Sequence, residues 1–227
     1  MNGEKPRSKR LKLDDSYNQS KKKLIVILED CSLEAAKVGQ DHVILSSDKH
    51  AHFLRKHNKD PAQYRPDILH QCLLMLMDCP LNQSGHLQVY FRTKKNVLVE
   101  VNPQCRIPRT FDRFCGLMVQ LLHNLQIRAA EGPERLLRVV KNPITKHLPI
   151  GCKKYLTSYN CNNLVEIKEV VNGEAEEPVV MVVGGISHGK ISTDYTEGEI
   201  KISNFPLSAA LTCAKMTTAF EQIWGVV

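Results

Sequence analysis

Two stretches of the sequence carry residue types whose spacing suits chemistry. The first is VVMVVGGISHGKIS, Val179 to Ser192, where an apolar run meets Gly184-Gly185 and then Gly189-Lys190. It approaches the phosphate loop G-x-x-x-x-G-K-[ST], whose amides cradle phosphates and whose hydroxyl binds Mg²⁺. Three features speak against a nucleotide hydrolase. Ile191 stands where that hydroxyl belongs, with Ser192 one place late. The following ISTDYTEGEI lacks the helical periodicity a phosphate loop opens into. Little chain remains to supply the later aspartate that holds the metal. A glycine loop after a buried strand serves another purpose equally well, because backbone amides and carbonyls can approach a ligand closely there. ISNFPLS, after the next short strand, repeats the arrangement ahead of a helix rich in Ala, Ser and Thr. Two such loops form either a pocket built mostly of backbone or a pair of tight turns between core elements. Such a pocket suits a neutral adenine ring carrying a sulfonium side chain.

The second stretch is RIPRTFDRF, which spaces Arg106, Arg109 and Arg113 at intervals of three and four. A helix beginning near Pro108 puts Arg109 and Arg113 on one face and turns Phe111 and Phe114 to the core. Clustered guanidiniums bind phosphates bidentately. The alternative is a solvated basic face paired with Asp112 and other local carboxylates. Upstream, Arg65 and Asp67 flank Pro66. An aspartate so close to an arginine at a rigid turn can hold it in one rotamer, and it also suits a helix start. None of the eight cysteines forms a C-x-x-C pair, so no metal site is expected. They read as small buried hydrophobes in a reducing compartment.

Bulk composition frames these groups. A chain of 227 residues with 42% hydrophobic content fits one globular domain, with room for an appended module. Apolar runs such as CLLMLM are too short to span a bilayer, and the first residues are polar, so a soluble intracellular protein without membrane partners is expected. A net charge of +7 favours a polyanionic partner, nucleic acid before an acidic membrane surface. Residues 1–23 read as a disordered basic arm and 24–227 as the folded domain. Within the arm, Lys9-Arg10 and Lys21-Lys22-Lys23 resemble a bipartite nuclear import signal, or else a solubilising arm that touches RNA phosphates.

The elements that must position the candidate groups follow from periodicity. LIVIL at Leu24 and HVILS at His42 predict strands. SLEAAKV between them predicts a helix, as does DKHAHFLRKHN with Asp48 as N-cap. RPDILHQCLLMLMDCP predicts a buried helix with Pro66 in its first turn and Pro80 at its stop. HLQVYFRTKKNVLVEV alternates around TKKN and predicts a β-hairpin. FDRFCGLMVQLLHNLQI and GPERLLRVVKN predict helices, and EIKEVVNGEAEEP a surface excursion. PVVMVV and GEIKIS predict strands, and LSAALTCAKMTTAFEQIW a terminal helix. Strands alternating with helices predict an α/β fold with a largely parallel sheet.

Several longer motifs carry a resemblance. RPDILHQCLLMLMDCPLN, LQVYFRT, VEVNPQCRIPRTFDRFCGLMVQLLH, KNPITKHLP, VVGGISHGK and ISNFPLSAALTCAK resemble the eukaryotic ribosome-biogenesis methyltransferases of the SPOUT class that modify N1 of a pseudouridine in small-subunit rRNA. The resemblance covers nearly everything after residue 24. It implies a homodimeric α/β fold with a mostly parallel sheet flanked by helices, a β-hairpin insertion and a C-terminal trefoil knot that binds S-adenosylmethionine. The cofactor-binding residues it implies are Thr157, Gly184, Gly189, Ile202, Ser203, Asn204, Phe205, Pro206 and Leu207. Those it implies for RNA are Arg65, Arg106, Arg109 and Arg113, with Asp67 orienting Arg65 so that the two serve catalysis together. Partners would be pre-rRNA and other ribosome assembly factors, in the nucleus and nucleolus. A non-catalytic assembly factor that binds pre-rRNA is the rival reading.

Overall fold

The computed structural model describes residues 22–170 and 177–226. The proposed basic arm falls almost wholly outside them, as does part of the acidic excursion before Pro178.

The centre is an eight-stranded sheet in the order β10-β8-β9-β1-β4-β5-β7-β6. Strand β1 (Leu24–Cys31) lies between β9 (Val179–Gly184) and β4 (Leu87–Thr93), parallel to both. Being covered on both faces explains its near-continuous apolar run. Strands β8 (Lys153–Thr157) and β10 (Gly198–Ile200) continue the parallel half. Beyond β4 the sheet turns antiparallel through β5 (Leu98–Val101), β7 (Arg135–Val140) and β6 (Gln126–Arg128). The expected hairpin around TKKN is the β4–β5 turn, with Asn96 in the left-handed region at φ 61.

The two faces of the sheet are covered differently. Leu24, Val26 and Leu28 point into the larger core, under α2 (Pro66–Asp78), α4 (Phe111–Asn124) and α6 (Ala209–Trp224). Each fully buried Leu or Phe there contributes about 1.5–3 kcal/mol of transfer free energy. Ile25 and Ile27 point the other way, into a smaller core closed by irregular chain through Ile144, Cys152, Ile186, Ile191 and Tyr195.

Four local expectations are corrected. Within SLEAAKV the chain forms strand β2 (Ala35–Val38), which pairs with β3 (Asp41–Ile44) around Gly39 at φ +67, so cross-strand pairing outweighs local helix propensity. GPERLLRVVKN contains strand β7, because the open edge of β5 needs a partner and six residues cannot distinguish the two periods. Helix α1 (Ala51–Lys56) has His50, not Asp48, at its N-cap position, with no side-chain capping hydrogen bond. Helix α4 begins at Phe111 with an extended Thr110 before it, and ends at Asn124 with Leu125 left-handed, so LQI leads into β6 instead of extending the helix. Pro108 therefore precedes the helix, and its carbonyl accepts a hydrogen bond from His70 Nε2 at 2.7 Å.

Candidate active site

Parallel strands bind ligands beyond their carboxyl ends, where the connecting loops leave a crevice. Here the ends of β8, β9 and β10 surround a cavity of about 370 Å³. Thr157 and Ser158 contribute from β8, Gly184 from β9, and Ile200 to Ser203 from β10. Phe205, Pro206, Leu207 and the first turn of α6 close it. The cavity thus gathers eight of the nine residues named for the cofactor. Asn204 is the exception, facing a neighbouring groove along α6.

Local chemistry shapes the walls. The Thr157 hydroxyl donates to the Val182 carbonyl at 2.9 Å and fixes the ends of adjacent strands. Ser208 caps α6 by accepting from the Leu211 amide at 3.2 Å, which turns the chain into the helix at the cavity rim. Gly185 has no room for a side chain, since a Cβ there would sit 2.5 Å from Cys31 Sγ. Gly189 takes φ +101, a conformation that other residues rarely adopt. Lys190, the lysine of the apparent phosphate loop, pairs with Glu199 at 2.8 Å. That ammonium holds the Glu199 carboxyl below the usual carboxylate range. The lysine is therefore tied to the rim, and the next helix begins only at Ala209, so none opens directly from the loop to supply the amides of a phosphate loop.

The arginines are dispersed. Arg65 is the residue before α2, and its guanidinium grips Asp67 with two hydrogen bonds of 2.8 and 2.7 Å. Its amide donates to Ser32 Oγ at 3.1 Å. Arg109 pairs with Asp78, the last residue of α2, at 3.0 Å. A thirteen-residue helix is about 20 Å long, so Arg65 and the Arg109 ion pair mark opposite ends of one rod. Arg106 lines an open groove with Arg109 beside the end of α2. Arg113 is exposed in the first turn of α4. The shared helical face expected for Arg109 and Arg113 does not form, because only Arg113 is helical. Arg65 does not line the cavity, but the chain leading to it touches the glycine loop, for Ser187 donates to the Ala62 carbonyl at 3.0 Å, three residues before Arg65.

The family model for the EMG1/NEP1 methyltransferases matches residues 26–221. The chain belongs to the EMG1/NEP1 methyltransferase family. It is 62% identical over 222 residues to the Caenorhabditis elegans ribosomal RNA small subunit methyltransferase nep-1, covering 98% of this chain and 96% of that one. The human ribosomal RNA small subunit methyltransferase NEP1 is 59% identical over 206 residues, covering 91% and 84%. The crystal structure of Archaeoglobus fulgidus Nep1 bound to S-adenosylhomocysteine aligns with a TM-score of 0.75 at 22% identity, covering 89% of this chain and 99% of that one. That likeness shows a shared fold, a mostly parallel sheet flanked by helices of the SPOUT type.

For an EMG1/NEP1 methyltransferase, some residues that shape the site were missed in the sequence. Ser187 joins the glycine loop to the turn before Arg65, and no periodicity announces it. Glu29, Arg92 and Tyr195 form a polar cluster beneath the loop. Its signal was readable as a charge at the end of the apolar run LIVILE.

Proposed function

We propose that the chain transfers methyl from S-adenosylmethionine to N1 of a pseudouridine in small-subunit rRNA, and that it acts in 40S subunit biogenesis. The observation that carries this reading is the cavity at three parallel strand ends, lined by the glycine loop and the Ile202–Leu207 segment and joined through Ser187 and Ala62 to the chain leading to Arg65. The relatives named above are small-subunit rRNA methyltransferases, and the archaeal neighbour binds the demethylated cofactor.

The residues that would hold the cofactor are those of the Gly184–Gly189 and Ile202–Leu207 loops together with Thr157. The sulfonium supplies an activated methyl. Methyl transfer would require N1 to give up its proton to solvent, and the cofactor would supply the methyl with its C–S electrons returning to sulfur. The protein's contribution is orientation and exclusion of water. Arg65 places positive charge beside the ring as N1 loses its proton, and Asp67 fixes the guanidinium's orientation. Arg106, Arg109 and Arg113 hold the RNA strand by phosphate, the ordinary way of setting register without reading sequence.

The same proposal takes the protein as a homodimer with a C-terminal knot, working with other assembly factors in the nucleus and nucleolus. Exposed Leu211, Phe205 and Tyr159 around α6 and the cavity rim provide apolar surface for a second copy. Sedimentation at micromolar concentration should give a species near twice 25.7 kDa. Calorimetry tests the cofactor assignment. S-adenosylhomocysteine should bind and ATP with Mg²⁺ should not, and the reverse pattern would overturn it.

A further inference from the structure

Glu29 interrupts an otherwise apolar strand. Alternation puts it on the face of Ile25 and Ile27, at the edge of the smaller core, where it is only 1% exposed. Arg92, two residues beyond Tyr90 on the same face of β4, donates through Nε to one carboxylate oxygen at 2.7 Å. The Tyr195 hydroxyl donates to the other. The backbone carbonyl of Glu29 accepts from the Gly185 amide at 2.6 Å. One residue therefore grips the chain at both ends of the excursion that follows β9, at Gly185 and again at Tyr195. Between these anchors lie Ile186 to Ile191, which form one wall of the cavity.

A charge here is costly in the absence of a role. Buried ion pairs replaced by well-packed apolar groups are often neutral or stabilising, and an apolar side chain would simply continue the row of Ile25 and Ile27. Burial and the neighbouring carboxylate push the Tyr195 hydroxyl far up, so it remains a donor. The loop has no helix or strand of its own to hold it, so its shape depends on such tethers.

We propose that Glu29 and Tyr195 are positioning residues for the cofactor loop, with Arg92 as counter-ion, and that this clamp sets affinity for the cofactor but not for RNA. The proposal rests on the cofactor reading above. The test is calorimetry on the full chain with S-adenosylhomocysteine and separately with a pseudouridine hairpin, for the parent, Tyr195→Phe and Glu29→Gln. Hydrogen exchange is read alongside. Losing one hydrogen bond to a charged group predicts that Tyr195→Phe weakens S-adenosylhomocysteine by about tenfold. KM for S-adenosylmethionine should rise in parallel while kcat and hairpin affinity hold. Exchange should quicken at 186–190 and not in β1 or β9. Glu29→Gln, which can still accept from Tyr195, should lie between the two. An unchanged S-adenosylhomocysteine affinity in folded Tyr195→Phe overturns the clamp, as does an equal loss of cofactor and hairpin affinity. If neither variant folds, the cluster belongs to the core and the proposal fails. Failure of the parent to bind S-adenosylhomocysteine overturns the cofactor reading and takes the clamp with it.

Discussion

Ser187 Oγ donates to the Ala62 carbonyl at 3.0 Å, across 125 positions of sequence, so the glycine loop and the turn bearing Arg65 touch directly. On the proposed function, this contact would hold the cofactor loop and the segment leading to Arg65 in one frame. Ser187→Ala removes a neutral hydrogen bond worth about 0.5–1.5 kcal/mol. Methyl-transfer kcat/KM should fall about two- to tenfold with little change in Tm. A drop in Tm with unchanged turnover would make the bond purely structural.

Gly185 and Gly184 should respond differently to Ala. At Gly185 a Cβ would lie 2.5 Å from Cys31 Sγ and 3.1 Å from the Glu29 carbonyl, with backbone on one side. At Gly184 its tightest neighbour is the flexible end of Ile191 at 3.3 Å. Overpacking of the first kind costs about 1–3 kcal/mol. Urea unfolding should show a clear loss of midpoint for Gly185→Ala and a much smaller one for Gly184→Ala.

Arg65 and Asp67 should behave as a unit. The two hydrogen bonds between them mean that removing either partner releases the other. In methyl transfer, a double-mutant cycle to Ala should return a coupling of about 0.5–3 kcal/mol. Asp67→Ala should also lower Tm, because the residue sits in the first turn of α2, where a negative charge is favourable. Arg65→Ala should leave S-adenosylhomocysteine affinity unchanged.

If Arg109 holds RNA as proposed, its ion pair with Asp78 competes with that contact. The pair is exposed on both sides, and such pairs contribute about 0–1 kcal/mol. Asp78→Asn should therefore tighten hairpin binding by up to about fivefold, a gain within that range. Arg109→Ala should weaken it by about 1–3 kcal/mol and reduce the salt slope. Filter binding at two salt concentrations reads both.

What the sequence revealed depended on whether one period or one residue type dominated locally. Buried parallel strands such as β1 and β9 are continuous apolar runs, and α2 and α6 have prolines or a serine at their starts, so these were legible. Strands β2 and β7 were not, because each owes its form to cross-strand pairing, β2 with its neighbour β3 and β7 with the distant β5, and not to a local apolar period. Strand β8, in KKYLT, has too few apolar residues to show a pattern and went unnoticed. Of the nine residues that the resemblance implied for the cofactor, eight line one cavity and Asn204 does not. The arginine cluster was misjudged geometrically. Pro108 looks like a helix start, yet a hydrogen bond from His70 holds it in the extended segment before α4, which moves Arg109 off the helix.

The most direct measurement is transfer of a labelled methyl from S-adenosylmethionine to a small-subunit rRNA hairpin made with pseudouridine or with uridine at one position. Nuclease digestion then identifies the modified nucleoside. The account predicts label on N1 of pseudouridine, none on the uridine hairpin, and loss of most labelling in Arg65→Ala while S-adenosylhomocysteine still binds. Equal labelling of both hairpins, or no labelling by a parent protein that binds cofactor and RNA, would contradict it.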